Sequence, residues 1–172
     1  MKNTAAIVLA LGILGAIESQ VSGAASQAFG FNASLISGFP RGRALEMTGG
    51  GAFDLEGRVI KSGGTFKCLS DITIPGPFAG CAAGEGVRWE AIALLDSTTF
   101  RCRILGEVKT AFSGDKIAVL VSDFYRQADG NVESFTAKMI VSDSDLDPVA
   151  PGVQNVWVQE IGCATDAVVS FN

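Results

Sequence analysis

From residue 44 onward, apolar side chains recur at alternate positions along most of the chain. Leu45 and Met47 alternate with Glu46 and Thr48. Phe53, Leu55 and Val59 stand among Asp54, Glu56 and Arg58. Phe135, Ala137, Met139 and Val141 alternate with Ser134, Thr136 and Lys138. In an extended chain successive side chains point to opposite faces, so this rhythm predicts strands with one face buried. One four-residue pattern occurs twice, as Thr65-Phe66-Lys67-Cys68 and Thr99-Phe100-Arg101-Cys102. In each copy Phe and Cys share a face and the cation takes the other. Residues 117–125 are apolar on both parities, as expected of a central strand. The Asp129-Gly130 pair that follows favours a tight turn, so 117–125 and 132–142 are expected to form a hairpin. Residues 87–96 fit a strand through Trp89, Ala91, Ala93 and Leu95. They also fit one helical face through Trp89, Ile92, Ala93 and Asp96; the strand is preferred. Gly49-Gly50-Gly51 and Ser62-Gly63-Gly64 read as turns, and 144–152, with Pro148 and Pro151, as a loop. Residues 155–162, with Trp157, read as a strand, and 167–171 as a last edge strand.

These segments total eight or nine short strands and almost no helix. The expected fold is all-β, an antiparallel barrel of about eight strands, because closure removes unpaired edges. A two-layer β-sandwich is the alternative. Residues 1–25 look like a secretory signal: Lys2 is followed by an uncharged apolar run over 4–17 and then by small residues. At about 14 residues that run is shorter than the roughly 20 a membrane-spanning helix needs, and no later run is long enough. The expected organisation is a signal peptide over 1–25, a polar lead-in over 26–43 and a single β-domain over 44–172.

Charge and composition narrow the function. Thirteen Lys and Arg against 18 Asp and Glu give a net charge of −5, with no basic run, so nucleic-acid binding has no footprint. The four cysteines, Cys68, Cys81, Cys102 and Cys163, are an even set in a chain with an export signal. That combination implies disulfides and a secreted or periplasmic location. The Pro75-Gly76-Pro77 turn folds the segment between Cys68 and Cys81 back on itself and favours that pair, leaving Cys102 with Cys163. The repeated Phe-x-Cys pattern supports Cys68 with Cys102 almost as well. The chain contains no histidine. This removes Ser-His-Asp and Cys-His catalysis and histidine-ligated metal, and with no CxxC spacing no metal site is expected. No cofactor motif is present either: the glycine clusters lack the lysine and helix of a phosphate loop.

Six residues are candidate ligand contacts. In Gly84-Glu85-Gly86-Val87-Arg88-Trp89-Glu90, Trp89 offers an aromatic wall and Arg88 and Glu90, on the opposite parity, offer charge. The structural alternative is that Trp89 fills the core and Arg88 pairs with a carboxylate. Asp123, next to Phe124-Tyr125-Arg126, is a general-base candidate at a barrel mouth; alternatively it is a strand-end carboxylate satisfied by an arginine. Asp123, Tyr125 and Arg88 are the catalytic candidates, and Trp157 completes the ligand set. Glu85 or Glu90 with Asp123 would be a glycosidase pair if suitably spaced. Asp143, Asp145 and Asp147 resemble the start of a calcium loop but lack its glycine and terminal glutamate.

Six stretches together resemble a family of small exported bacterial β-proteins of uncharacterised function: Thr48-Gly49-Gly50-Gly51-Ala52-Phe53-Asp54, Ser62-Gly63-Gly64-Thr65-Phe66-Lys67-Cys68, Gly84-Glu85-Gly86-Val87-Arg88-Trp89, Asp123-Phe124-Tyr125-Arg126, Glu133-Ser134-Phe135-Thr136-Ala137-Lys138-Met139 and Gln154-Asn155-Val156-Trp157. The resemblance carries over no catalytic residue. The strand layout is similar to that of calycin-like barrels such as lipocalins and allene oxide cyclases, and fold alone does not give function. Three functions are expected in this order: a barrel enclosing a small, largely apolar molecule without catalysis; an extracellular interaction or structural protein working through its surface or an edge strand; and a histidine-free cyclase or isomerase.

Overall fold

The structure is a computed structural model that describes residues 26–38, 43–126 and 133–172. The expected signal peptide and the Asp129-Gly130 turn lie outside the described residues. Eleven strands follow one another: β1 (Gln27–Gly38), β2 (Ala44–Asp54), β3 (Val59–Cys68), β4 (Arg88–Leu94), β5 (Ser97–Phe100), β6 (Lys109–Phe112), β7 (Ile117–Tyr125), β8 (Glu133–Ser142), β9 (Gln154–Val158), β10 (Gly162–Thr165) and β11 (Val168–Phe171). Eight of them, in the order β1-β2-β3-β4-β7-β8-β9-β10, form an antiparallel sheet that closes when β10 pairs with β1. The fold is therefore an all-β closed barrel, with β11 as an extra strand on β1 and β5–β6 as a separate two-stranded ribbon. No helix occurs among the described residues, so none is long and apolar enough to cross a membrane.

Residues 27–38, expected within a polar lead-in, form a full barrel strand. Phe29, Phe31 and Ala33 are buried, with Gly30, Asn32 and Ser34 on the other parity. The small residues between the phenylalanines lower the average hydropathy and mask the alternation.

The glycine clusters also differ from expectation. Gly49-Gly50-Gly51 lies inside β2 and Ser62-Gly63-Gly64 inside β3, paired with each other: Gly49 with Gly64, Gly50 with Gly63, Gly51 with Ser62. Their role is set by Trp89, which pairs with Gly64 from β4 and is wholly buried. A Cβ at Gly49 would stand 2.5 Å from Trp89 Cζ2 and 2.5 Å from the Gly63 carbonyl. The indole thus lies against bare backbone, and its Nε1–H donates to the Thr48 carbonyl at 3.2 Å.

Inside, the barrel is filled by its own side chains. Phe53, Trp89, Phe124, Leu45, Leu120 and Met139 are all essentially inaccessible. Residues 69–87, between β3 and β4, plug one end. Phe78 packs against Phe66, Phe124 and Phe135, with ring centroids 6.3, 4.9 and 4.4 Å away. The plug is tied at its base by Cys68–Cys81. Its far side is held by the buried Arg43, which donates to the carbonyls of Pro75 (2.7 Å), Ile74 (3.2 Å) and Glu160 (2.8 Å) and to the Glu160 carboxylate (3.1 Å).

A second apolar layer lies outside the barrel. Val119, Ile140, Trp157 and Cys163 are successive register partners across β7, β8, β9 and β10. Phe100, Cys102, Ala111 and Leu146 cover them. This explains why β7 is apolar on both parities: one face lines the interior and the other lies under the β5–β6 ribbon. The second bridge, Cys102–Cys163, fastens that ribbon to the wall. The two copies of Thr-Phe-cation-Cys therefore do different jobs. The first ends a barrel strand; the second ends ribbon strand β5 and runs past it to Cys102, on the outside.

Candidate functional site

Strand register sorts the six candidate contacts. Trp89 pairs with Gly64 and Phe124 and points inward, into the core. Its neighbours Arg88 and Glu90 point outward, opposite Tyr125 and Asp123 respectively. The next strand, β8, sets Thr136 opposite Asp123. Four candidates from distant parts of the sequence thus meet on the outer face of β4 and β7.

Their contacts are specific. The Arg88 guanidinium carbon lies 3.8 Å from the centre of the Tyr125 ring, a cation–π arrangement. Its Nη1 also pairs with the Glu90 carboxylate. Asp123 is buried, and its Oδ1 accepts a hydrogen bond from Thr136 Oγ1 at 2.7 Å. Carboxylates directly opposite each other across two strands stand about 5 Å apart at Cβ and repel unless compensated. Here Arg88 compensates Glu90, and Thr136 satisfies Asp123. Glu85 is elsewhere, accepting the Ala82 backbone N–H within the plug loop at 3.0 Å.

Beside this cluster an open cleft of about 400 Å³ runs over β1, β2 and β3, lined by Asn32, Ser34, Glu46, Thr48, Thr65 and Lys67 among others. Asn32, Thr48 and Thr65 are register neighbours. The pairing of Gly64 with Trp89 sets Thr65 beside Arg88. The polar face is therefore continuous from Asn32 to Tyr125. The sequence contained a signal for these residues: they have the opposite parity to Phe31, Met47 and Phe66. Without the register, nothing joined them to Arg88 or Asp123.

Trp157 stands apart. It is buried under the ribbon, its Nε1–H donates to the Arg101 carbonyl at 3.1 Å, and it packs edge-on against Phe100 at 6.0 Å. Its exposed margin contributes to an open cleft of about 470 Å³ with Thr98, Phe100, Arg101, Lys138 and Glu160 among others. Asp143, Asp145 and Asp147 do not converge. Asp143 pairs with Lys116 (3.1 Å), Asp145 accepts the backbone N–H groups of Asp147 and Gln154 (2.9 and 3.0 Å), and buried Asp147 pairs with Lys109 (2.5 Å). No group of three or more metal-ligating side chains occurs among the described residues.

The architecture defines a disulfide-stapled, closed eight-stranded antiparallel β-barrel with Arg88, Glu90, Asp123 and Tyr125 on its outer face. Set against known proteins, the chain matches no family model, no curated protein and no solved structure.

Proposed function

We propose that this is an exported, non-catalytic binding protein that recognises its partner on the outside of the barrel. The surface is the polar face from the β1–β3 cleft to Arg88, Glu90, Asp123 and Tyr125. On this reading residues 1–25 are a secretory leader, and the chain belongs with small exported bacterial β-proteins. The two disulfides fit an oxidising compartment.

One observation carries the reading: the interior is occupied by side chains such as Trp89, Phe53, Phe78 and Phe124, while the polar candidates lie outside it. Eight strands enclose a space that side chains alone can fill. This supports surface recognition over an enclosed apolar ligand. It also counts against the cyclase reading, because Arg88, Asp123 and Tyr125 share an outer face rather than an enclosed pocket.

Native mass spectrometry of the purified, oxidised protein is expected to give the mass of the chain alone. Titration with a long-chain fatty acid should give no saturable change in tryptophan fluorescence. A retained apolar molecule, released only on unfolding, would overturn the proposal. The double variant Arg88→Ala/Tyr125→Ala should cost no more than about 1 kcal/mol in urea unfolding, as expected for a half-exposed pair outside the core. A much larger loss would mean that the pair serves the fold rather than a partner.

A further inference from the structure

The apolar layer outside the barrel ends in a polar rim. Lys138 and Gln159 stand two residues along from Ile140 and Trp157 on the same outer face. They are neighbours: Gln159 N–H donates to the Lys138 carbonyl at 2.9 Å, and Lys138 N–H donates to Gln159 Oε1 at 3.0 Å. Facing them across the open cleft of about 470 Å³ are Phe100 and Arg101 of the ribbon, with Val108 from the returning chain. This cleft is rich in donors. Lys138 is exposed and makes no ion pair among the described residues. Gln159 spends its side-chain oxygen on Lys138, which leaves its NH2 group. The carboxylate of the lining, Glu160, is already held by buried Arg43 at 3.1 Å. Such a set takes an oxyanion. Phe100 and Trp157 are each only 5% exposed, so the floor offers little to an apolar body.

Arg101 and Val108 are also the two stems of the ribbon loop. Its tip is a four-residue turn, closed by Gly106 N–H donating to the Arg103 carbonyl at 2.9 Å, and it presents Ile104 and Leu105. Leu105 is 97% exposed, Val108 62% and Ile104 46%. Adjacent apolar side chains displayed on a turn mark an interaction. The bridge from Cys102 to Cys163 fastens one stem to the barrel wall. Cations flank the tip. Arg101 Nη1 donates to the Ile104 carbonyl at 3.2 Å, and Arg103, half-exposed, lies 3.9 Å from an Asp147 that Lys109 already holds at 2.5 Å. Within residues 101–109, Glu107 is the single carboxylate.

We propose that the ribbon loop and the cleft lined by its stems form a peripheral docking site for an anionic phospholipid surface. The apolar tip by itself would fit many partners; the oxyanion cleft at its base selects this one. An apolar tip and an oxyanion site a few residues apart match the two layers of such a surface, acyl chains and phosphate headgroups. Ile104 and Leu105 enter the acyl boundary, and a headgroup phosphate lies against Lys138, Gln159 and Arg101. The chain's net charge of −5 keeps the rest of the surface off an anionic membrane and so sets which side approaches. The site shares no residue with the polar face of Arg88 and Tyr125, and neither depends on the other.

The test uses the full oxidised chain and vesicles of phosphatidylglycerol with phosphatidylcholine, compared with phosphatidylcholine alone. Cosedimentation is expected with the anionic vesicles and should be about tenfold weaker with the neutral ones. Ile104→Ser/Leu105→Ser should lower partitioning about tenfold, because two apolar side chains leave the acyl boundary. Lys138→Gln should weaken binding to the anionic vesicles about fivefold and leave binding to the neutral ones unchanged. Leu105→Trp should add an emission that shifts to the blue on binding and is quenched by brominated acyl chains. All these side chains are exposed, so unchanged urea midpoints separate lost binding from a lost fold. The proposal is overturned if the protein stays in the supernatant with anionic vesicles, or if Ile104→Ser/Leu105→Ser binds them as well as the unaltered chain. It is also overturned if glycerol 3-phosphate shifts the Lys138 amide in NMR while vesicles do not bind, because the cleft would then serve a soluble phosphate ester.

Discussion

At the scale of single residues, the most demanding position is Gly49. Any side chain there must displace the Trp89 indole or the Gly63 backbone, both 2.5 Å from where a Cβ would stand. Gly49→Ala is therefore expected to cost about 2 kcal/mol or more by overpacking, read as a lower urea midpoint and a changed Trp89 emission. Gly114→Ala is the matched control: a Cβ there meets nothing within 4 Å and the backbone needs no positive φ, so stability should stay within about 0.5 kcal/mol. The sequence displayed both glycine clusters but not their meaning. Glycine is a common turn residue, and what these glycines accommodate is a tryptophan far along the chain, 40 residues after Gly49. Arg88 and Glu90 were legible as outward neighbours from parity alone. That Tyr125 and Asp123 lie opposite them was not, because parity within one strand says nothing about which strand is adjacent.

At the scale of elements, the plug and the ribbon decide how the barrel is finished. Arg43 reaches three carbonyls and one carboxylate and so connects the start of β2, the plug and the β9–β10 turn. Arg43→Ala leaves those acceptors short of donors, and the expected cost is about 3 kcal/mol. Amide exchange should quicken first in residues 69–87, ahead of β7 and β8; uniform quickening would show that the plug does not open separately. On the ribbon, Leu105 is 97% exposed while Asp147 is buried against Lys109. Leu105→Ser should therefore be nearly neutral, whereas Asp147→Ala should cost about 1–3 kcal/mol by stripping a part-buried lysine of its partner. Hairpin β7–β8 was readable because apolar rhythm and turn chemistry agree. Ribbon strand β6 was not, since Lys109-Thr110-Ala111-Phe112 is too short and mixed to carry a pattern of its own.

At the scale of the whole molecule, two bridges staple different things. Cys68–Cys81 closes a local loop of 13 residues, and Cys102–Cys163 one of 61, joining the ribbon to the closing strand. Chain-entropy reasoning gives about 3 kcal/mol for the first and about 4 kcal/mol for the second. Removing the pair Cys102 and Cys163 by serine substitution should thus lower stability more than removing Cys68 and Cys81. Equilibrium unfolding of the two double variants checks the order. The reverse order would mean that the plug, rather than the ribbon, holds the barrel closed.

Alternation, turn residues and an even cysteine count determined by themselves that this chain makes antiparallel strands, buries one face of each and contains cross-linkable cysteine pairs. These are properties of residues near one another along the chain, and strand geometry converts them directly into a half-buried surface. Closure was decided only in three dimensions, by β10 reaching β1, and so was the arrangement of the polar face on the outside. The interior's fullness belongs to the same category. Each depends on register between segments far apart in sequence, and a shift of one residue in register would exchange inside for outside.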